Sequence, residues 1–382
     1  MEKFYEKEYH TQSDKAKQSK LDLPYIYEKR KVSQQDISYD LRLSRPTVIT
    51  NLNVLESEGM IRKSGQIDTE FVGRKAAAYS IVSDFRVSIG VEILRKEIKM
   101  IAIDLYGDKI DRLVFEIAYE NQDSYYRAIC DKILEFKELL HVADAQLLGI
   151  GFSMQGLVSP DRKTIVYGEI LGCTGITIEA FTKYLPYACS FIHDADSAAV
   201  SELWVSPELK DAFYLSISKH LGVAIISKGE ILAGKHGHSS TIEHIQMEPE
   251  GEICCCGKRG CMETLCSLDS LLKERETPEE LFQELRRGES SAEERWDVFL
   301  LNLAKALNML HLIFDTDFIL GGYLASYLCE KDLASLHEKI REMTPFAEAS
   351  DFLLISKMPE HNITIGAALP YIQTFLDTLP EV

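Results

Sequence analysis

The sequence has no run of 18 apolar residues, and its amino terminus, MEKFYEKEYH, lacks the cationic-then-apolar pattern of a secretory leader. Both absences argue against a spanning or exported protein and make the cytoplasm the expected compartment, with no membrane partner. Positive charge is also short. Lysine and arginine number 42 against 60 aspartates and glutamates, a net of −18, so the surface as a whole does not suit nucleic acid. Nothing points to an oxidising compartment, so the nine cysteines are expected to be reduced thiols rather than disulfides. What the chain does have is length. At 382 residues, 46% of them hydrophobic and 27% charged, it reads as a globular protein of two or three domains.

The charge deficit is uneven. Residues 1–82 hold 14 basic and 12 acidic residues, whereas the remaining 300 hold 28 and 48. A near-neutral head on an acidic body suits a small DNA-reading module whose body phosphate repels.

The head has a matching pattern. Residues 1–24 are polar and read as a helix or a loose arm. Ser33, followed by Gln34, Gln35 and Asp36, is placed to cap a short helix carrying Ile37 and Leu41. Ser44 is placed to cap a second helix with Pro46 in its first turn, where a missing N–H costs nothing. Val48, Leu52 and Leu55 then repeat at helical spacing and define a buried stripe, and Gly59 ends the helix. Beside or opposite that stripe stand Arg45, Thr47, Thr50, Asn51 and Asn53, polar groups suited to base edges and phosphates in a major groove. Strands at 60–63 and 77–82 flank a polar loop with Gly73, Arg74 and Lys75, which reads as a wing. The arrangement predicts a winged helix-turn-helix over residues 1–82, with Arg45, Thr47, Thr50, Asn51, Arg74 and Lys75 as DNA contacts. A winged helix that binds protein instead fits the same pattern.

The densest chemistry lies between His244 and Glu263. Cysteines 254, 255, 256 and 261 fall within eight positions, with Gly257 and Gly260 between them. Thiolates are soft donors, and Zn²⁺ takes four N/S ligands tetrahedrally. Folding back at Gly257 lets Cys254, Cys256 and Cys261 reach one ion, with His244 supplying a nitrogen, while Cys255 alternates away. Four protein donors close the site, so it is expected to be structural. The competing reading is a chance cluster of reduced thiols.

Gly234-Lys235-His236-Gly237, then His244, then C-x-C-G-x-x-G-C-x-E at 254–263 resemble the zinc and sugar-site signature of the ROK family of repressors, open reading frames and kinases. The head also resembles that of ROK repressors, through Leu43-Ser44-Arg45-Pro46-Thr47-Val48 and Gly73-Arg74-Lys75. Strand–helix alternation from Ser88 onward, with antiparallel pairs opening each half, already implies an α/β body of two similar lobes. The resemblance implies that this body is a two-lobed ribonuclease H-like (actin-type ATPase) sugar-kinase fold with a zinc-binding insertion. The expected division is 83–195 for lobe 1, joined by a returning helix at 363–382, and 196–362 for lobe 2 with its zinc segment at 236–266.

The resemblance also implies sites. Asp194, at the end of the strand Phe191-Ile192-His193, falls where the family's kinases place the base that takes a sugar hydroxyl proton. Asp194, His244 and Glu263 are the implied sugar ligands. Glycine, however, is missing where phosphates would approach the backbone. The kinase pattern D-x-G-G-T is Glu92-Ile93-Leu94-Arg95-Lys96 here, and G-T-G-x-G is Ser218-Lys219-His220-Leu221-Gly222. In the G-E-x-G-H pattern Thr241 replaces a sugar-binding glutamate and Glu243 the second glycine, and His193 replaces the asparagine before Asp194. The expectation is a regulator with a vestigial base, no catalysis, a double-stranded DNA operator and a sugar or sugar-derivative effector. A homodimer or homotetramer is expected, because one short recognition helix reads few base pairs. An active ATP-dependent sugar kinase with a DNA-binding head, and a regulator answering only to a protein partner, are the alternatives.

Overall fold

Among the described residues, the head is built on three helices and a small sheet. The computed structural model describes residues 22–67, 75–346, 352–358 and 360–380. Helix α1 (Asp22–Lys29), strand β1 (Val32–Ser33), helices α2 (Gln34–Asp40) and α3 (Arg45–Ser57), and strands β2 (Ile61–Ile67) and β3 (Ala76–Ile81) follow in order. The strands pair antiparallel as β1-β3-β2. Ser33 and Asp36 form the reciprocal capping box at the start of α2, and Ser44 Oγ accepts the Thr47 N–H at the start of α3. Val48, Leu52 and Leu55 are buried, and Gly59 takes the left-handed conformation just past the α3 terminus. Sequence reasoning left Asp22–Lys29 inside an arm or an unplaced stretch. The structure makes it a helix that buries Leu23, Tyr25 and Ile26 in the head's core.

Lobe 1 contains β4 (Val87–Ile93), β5 (Glu97–Ile103), β6 (Lys109–Glu116), helix α4 (Asp123–Leu139), β7 (Leu147–Met154), the short hairpin β8 (Leu157–Val158) and β9 (Ile165–Tyr167), helix α5 (Glu179–Thr182) and β10 (Cys189–His193). Its main sheet runs β10-β7-β4-β5-β6, with β4, β5 and β6 antiparallel and β7 and β10 added in parallel. Helix α6 (Asp194–Val205) then leads to lobe 2, which has β11 (Ala212–Ile217), β12 (Leu221–Ser227), β13 (Glu230–Ile231) and the helices α7 (Glu263–Cys266), α8 (Leu268–Leu271), α9 (Pro278–Arg287) and α10 (Ser290–Phe314). Strand β14 (Asp317–Gly321), helix α11 (Glu330–Met343), strand β15 (Leu353–Ile355) and helix α12 (Asn362–Asp377) complete the chain. The second sheet runs β13-β12-β11-β14-β15 and repeats the first strand for strand: three antiparallel, then two parallel. This is the doubled ribonuclease H-like architecture expected from the sequence.

Helix α12 returns across the sheet of lobe 1, so closely that Gly90 and Gly151 have no room for a Cβ beside the Thr364 and Ala367 carbonyls. It also packs on α6, which rests on the sheet of lobe 2. Helix α10 is long and apolar enough to span a membrane by composition, yet Phe299, Leu300, Leu303, Leu307 and Leu310 bury it in the core of lobe 2. The head shares a hydrophobic cluster with Ile101, Ile103 and Leu105 of lobe 1 and with Ile365, Leu369 and Ile372 of α12.

Candidate functional site

The His/Cys cluster forms from local backbone turns. Gly257 at φ +79° lets its N–H reach the Cys254 carbonyl at 2.8 Å, while the Cys254 N–H reaches Lys258 O at 2.7 Å. Gly260, also at positive φ, passes so near the Glu248 carbonyl that a Cβ would collide with it. These turns bring the donor atoms of His244, Cys254, Cys256 and Cys261 within 4.8 Å of one another. His244 Nδ1 lies 3.6 Å from Cys254 Sγ, and Cys256 Sγ lies 3.7 Å from Cys261 Sγ. A tetrahedron with bonds of about 2.3 Å has edges of about 3.8 Å, so the set fits a metal ion. Burial lowers the His244 pKa and favours the neutral imidazole that a metal needs. Burial opposes ionisation of Cys256, yet the Lys258 backbone and the neighbouring thiols hold its pKa below the ordinary thiol value. Cys255 stands outside this group, exposed, with its Sγ 3.8 Å from that of Cys254.

Between the lobes lies a cleft of about 620 Å³ lined by His193, Asp194, Thr241, Glu243, His244 and Glu263, among others. The three implied sugar ligands therefore share one wall. Asp194 opens α6, and its Oδ1 accepts the Ala195 N–H at 2.9 Å and lies 3.1 Å from His193 Nε2. Glu263 opens the short helix α7. It is buried, and both oxygens are engaged: His220 Nδ1 at 2.8 Å and the Leu221 N–H at 2.6 Å.

Sequence reasoning missed this Glu263–His220 pair. His193 lines the cleft. Burial opposes its charging, but Asp194, Asp196 and Glu243 outweigh burial and raise its pKa. Glu243 also lines the cleft, and burial pushes its carboxyl up to about 7. The signal available in the sequence was that both residues depart from the ROK pattern.

Both altered phosphate turns sit at the cleft. Leu94 and the Ser218–Gly222 turn line it, while the Arg95 guanidinium is spent on the Ile170 carbonyl. Glu92 is buried under the Thr364 hydroxyl at 3.0 Å, with Lys99 at 3.8 Å. Burial raises its pKa, against the pull of Lys99 and Thr364.

In the head, Arg45, Thr50 and Lys75 are exposed and Thr47 is half-buried, with its hydroxyl 2.8 Å from Ser44 Oγ. Arg74 lies outside the described residues. Asn51 corrects the expectation: it is buried on the core side of α3 beside Asp22, because position 51 precedes Leu52 on the packed stripe. Asn53 is the exposed asparagine.

The ROK family model matches residues 88–373, and the chain belongs to the ROK family. It is 28% identical over 241 residues to the Escherichia coli DNA-binding transcriptional dual regulator NagC, covering 62% of this chain and 59% of that protein. It is 21% identical to the xylose repressor of Caldicellulosiruptor bescii, covering 94% of this chain and 96% of the relative. Among solved structures, a ROK family transcriptional regulator described as a homologue of the E. coli MLC protein matches with a TM-score of 0.71 and 19% identity, over 94% of this chain and 97% of that one. The ROK hexokinase of Thermus thermophilus matches with a TM-score of 0.64 and 22% identity, over 76% of this chain and 99% of that one. The family thus contains both regulators and sugar kinases.

Proposed function

We infer that the chain is a DNA-binding transcriptional regulator, a repressor of carbohydrate uptake or metabolism genes, controlled by a sugar-like effector in the interlobe cleft. One observation carries this reading: a winged helix-turn-helix is joined to a kinase-type body whose phosphate turns carry side chains, Leu94 and His220, at glycine positions. Nucleotide phosphates need close backbone approach there, so Asp194 is left as a sugar ligand without a phosphoryl donor to serve. Relatives whose names make them a dual regulator and a xylose repressor support the same direction.

In this reading Arg45, Thr47, Thr50, Lys75 and Arg74 contact a double-stranded operator, and Asn53 takes the place first given to Asn51. Asp194 and His244 bind the effector directly, and Glu263 holds the wall through His220. The metal is Zn²⁺, which three thiolates and one imidazole favour. It braces the wall that carries His244 and leaves no open coordination position. The protein acts in the cytoplasm as a homodimer or homotetramer, since one recognition helix reads too few base pairs alone. An effector shifts DNA affinity only if it binds two lobe arrangements unequally.

The test is a footprint on the DNA upstream of the chain's own gene, repeated with a panel of sugars, alongside an ATP-turnover assay with the same sugars. Specific protection relieved by one sugar, without turnover, is expected. Turnover at enzyme-like rates that Asp194→Asn abolishes would instead make the protein a kinase.

A further inference from the structure

Two departures from the ROK pattern, 50 positions apart in sequence, meet on one wall of the cleft: His193, for the expected asparagine, and Glu243, for the expected glycine. Their charges act on one another, with Asp194 beside them. The hydrogen bonding of the cleft's acids is uneven. Glu263 has both oxygens engaged, Glu92 Oε2 takes the Thr364 hydroxyl, and Asp194 Oδ1 takes the Ala195 N–H. Glu243 Oε1 lies 3.8 Å from His244 Nε2, whereas Glu243 Oε2 is buried with no hydrogen-bond partner among the described residues. A buried acceptor without a donor costs free energy that a ligand recovers by supplying one.

The cleft's charge narrows what that ligand can be. Among the described residues six acidic side chains line it, Glu92, Asp194, Glu243 and Glu263 among them, and the only lysines or arginines lining it are Lys99 and Lys219. Lys99 is already paired with Glu92 at 3.8 Å and Glu97 at 3.5 Å. An anionic group in this half-enclosed cleft would meet the like charge of Asp194 and Glu263.

We propose that Glu243 is the specificity-determining residue of the effector site and that it takes a hydrogen-bond donor, a hydroxyl or a protonated amine, on an unphosphorylated sugar. The proposal rests on the reading of the cleft as a sugar site. It assigns a role to a position where the family pattern has no side chain, and it excludes hexose phosphates and uronates as effectors.

Isothermal titration calorimetry on the full-length, metal-loaded protein tests it, using glucose, mannose and xylose, the matching hexosamines, the hexose 6-phosphates and glucuronate. At least one unphosphorylated sugar is expected to bind at least tenfold more tightly than any phosphate or uronate. Glu243→Ala is expected to weaken that sugar at least tenfold, with metal content and circular dichroism unchanged. Glu243→Gln keeps an acceptor and loses the charge, so it separates the two donors: hydroxyl binding is retained within a few fold, and amine binding falls tenfold or more. A phosphorylated sugar that binds as tightly as its parent overturns the proposal, as does an unaltered affinity in Glu243→Ala. Absence of binding by every sugar in the panel overturns the sugar-site reading itself.

Discussion

The Trp204 indole N–H donates to the Tyr106 carbonyl at 2.8 Å, and this bond ties the far end of α6 to the contact between head and body. Helix α6 begins at Asp194 in the cleft. Tyr106 stacks on Tyr27 of α1 at 4.8 Å between ring centroids, with the Arg30 guanidinium 3.4 Å over its ring, and the Tyr27 hydroxyl donates to Leu105 O at 3.0 Å. One helix thus reaches the cleft at one end and the contact between head and body at the other. Trp204→Phe keeps most of the apolar packing and removes the bond. Urea denaturation should show a loss of about 0.5–1.5 kcal/mol. Operator affinity without sugar should change little, while the sugar-induced change in that affinity should shrink by about fivefold or more, a typical allosteric coupling. Fluorescence anisotropy on labelled operator checks both; an unchanged sugar response rejects the route through α6.

Arg45 and Asn51 should separate in a binding assay. Arg45 is exposed at the start of α3, so Arg45→Ala should weaken operator binding by about 1–3 kcal/mol if it reads a base, with folding unaffected. Asn51 packs beside Asp22, so Asn51→Ala should act through the stability of the head, lowering its melting temperature before it changes sequence preference. Equal melting temperatures for wild type and Asn51→Ala would place Asn51 back among the DNA contacts.

Metal content supplies a third check. Elemental analysis of the purified chain should give one zinc per chain, and Cys261→Ser should lose it together with ordered structure around residues 236–266, seen as new proteolytic cleavage there. Cys255→Ser should retain the metal, because Cys255 stands outside the donor set. A fully folded, metal-free preparation would remove the cluster from the account.

The head should also show a pH dependence of its own. Burial pushes the Asp22 carboxyl up to about 6, with the Asn51 side chain pulling the other way. A carboxyl raised above its unfolded value favours the folded state most when protonated. Its contribution is therefore complete below about pH 4 and is lost as pH rises through about 6. Asp22→Asn removes that loss and should stabilise the head by about 1–3 kcal/mol at pH 7.5, with little effect at pH 4. Denaturation curves at the two values check the sign; a variant less stable at pH 7.5 contradicts it.

Much of the architecture was legible because it rests on local chemistry. The Ser33 and Ser44 caps, the Val48–Leu52–Leu55 stripe and the Gly257 turn each obey a short-range rule, and each appears where its rule places it. The doubled sheet was only half legible: alternation of strands and helices indicates two lobes, but the common strand order depends on pairings between distant segments. Helix α1 was obscured because the polar stretch before it runs straight into Leu23 and Ile26. The grouping of His244 with Cys254, Cys256 and Cys261 was readable from spacing. The Glu263–His220 pair was not, because its partners lie 43 positions apart and the turn carrying His220 was judged only by its missing glycines. Position 51, three residues after Val48 and four before Leu55, lies on the packed stripe, but a polar side chain there reads as exposed until its buried neighbour, Asp22, is known.

That Glu263–His220 pair bears on what the turn at position 220 can tolerate. Glu263 clasps the Ser218–Leu221 turn to the end of the cysteine-rich segment, using both of its oxygens. A glycine at position 220 would bare the backbone of the turn and, in the same step, strand a buried carboxylate oxygen. The clasp therefore links two positions that lie 43 apart in the chain: His220 is lost at a cost unless Glu263 changes with it.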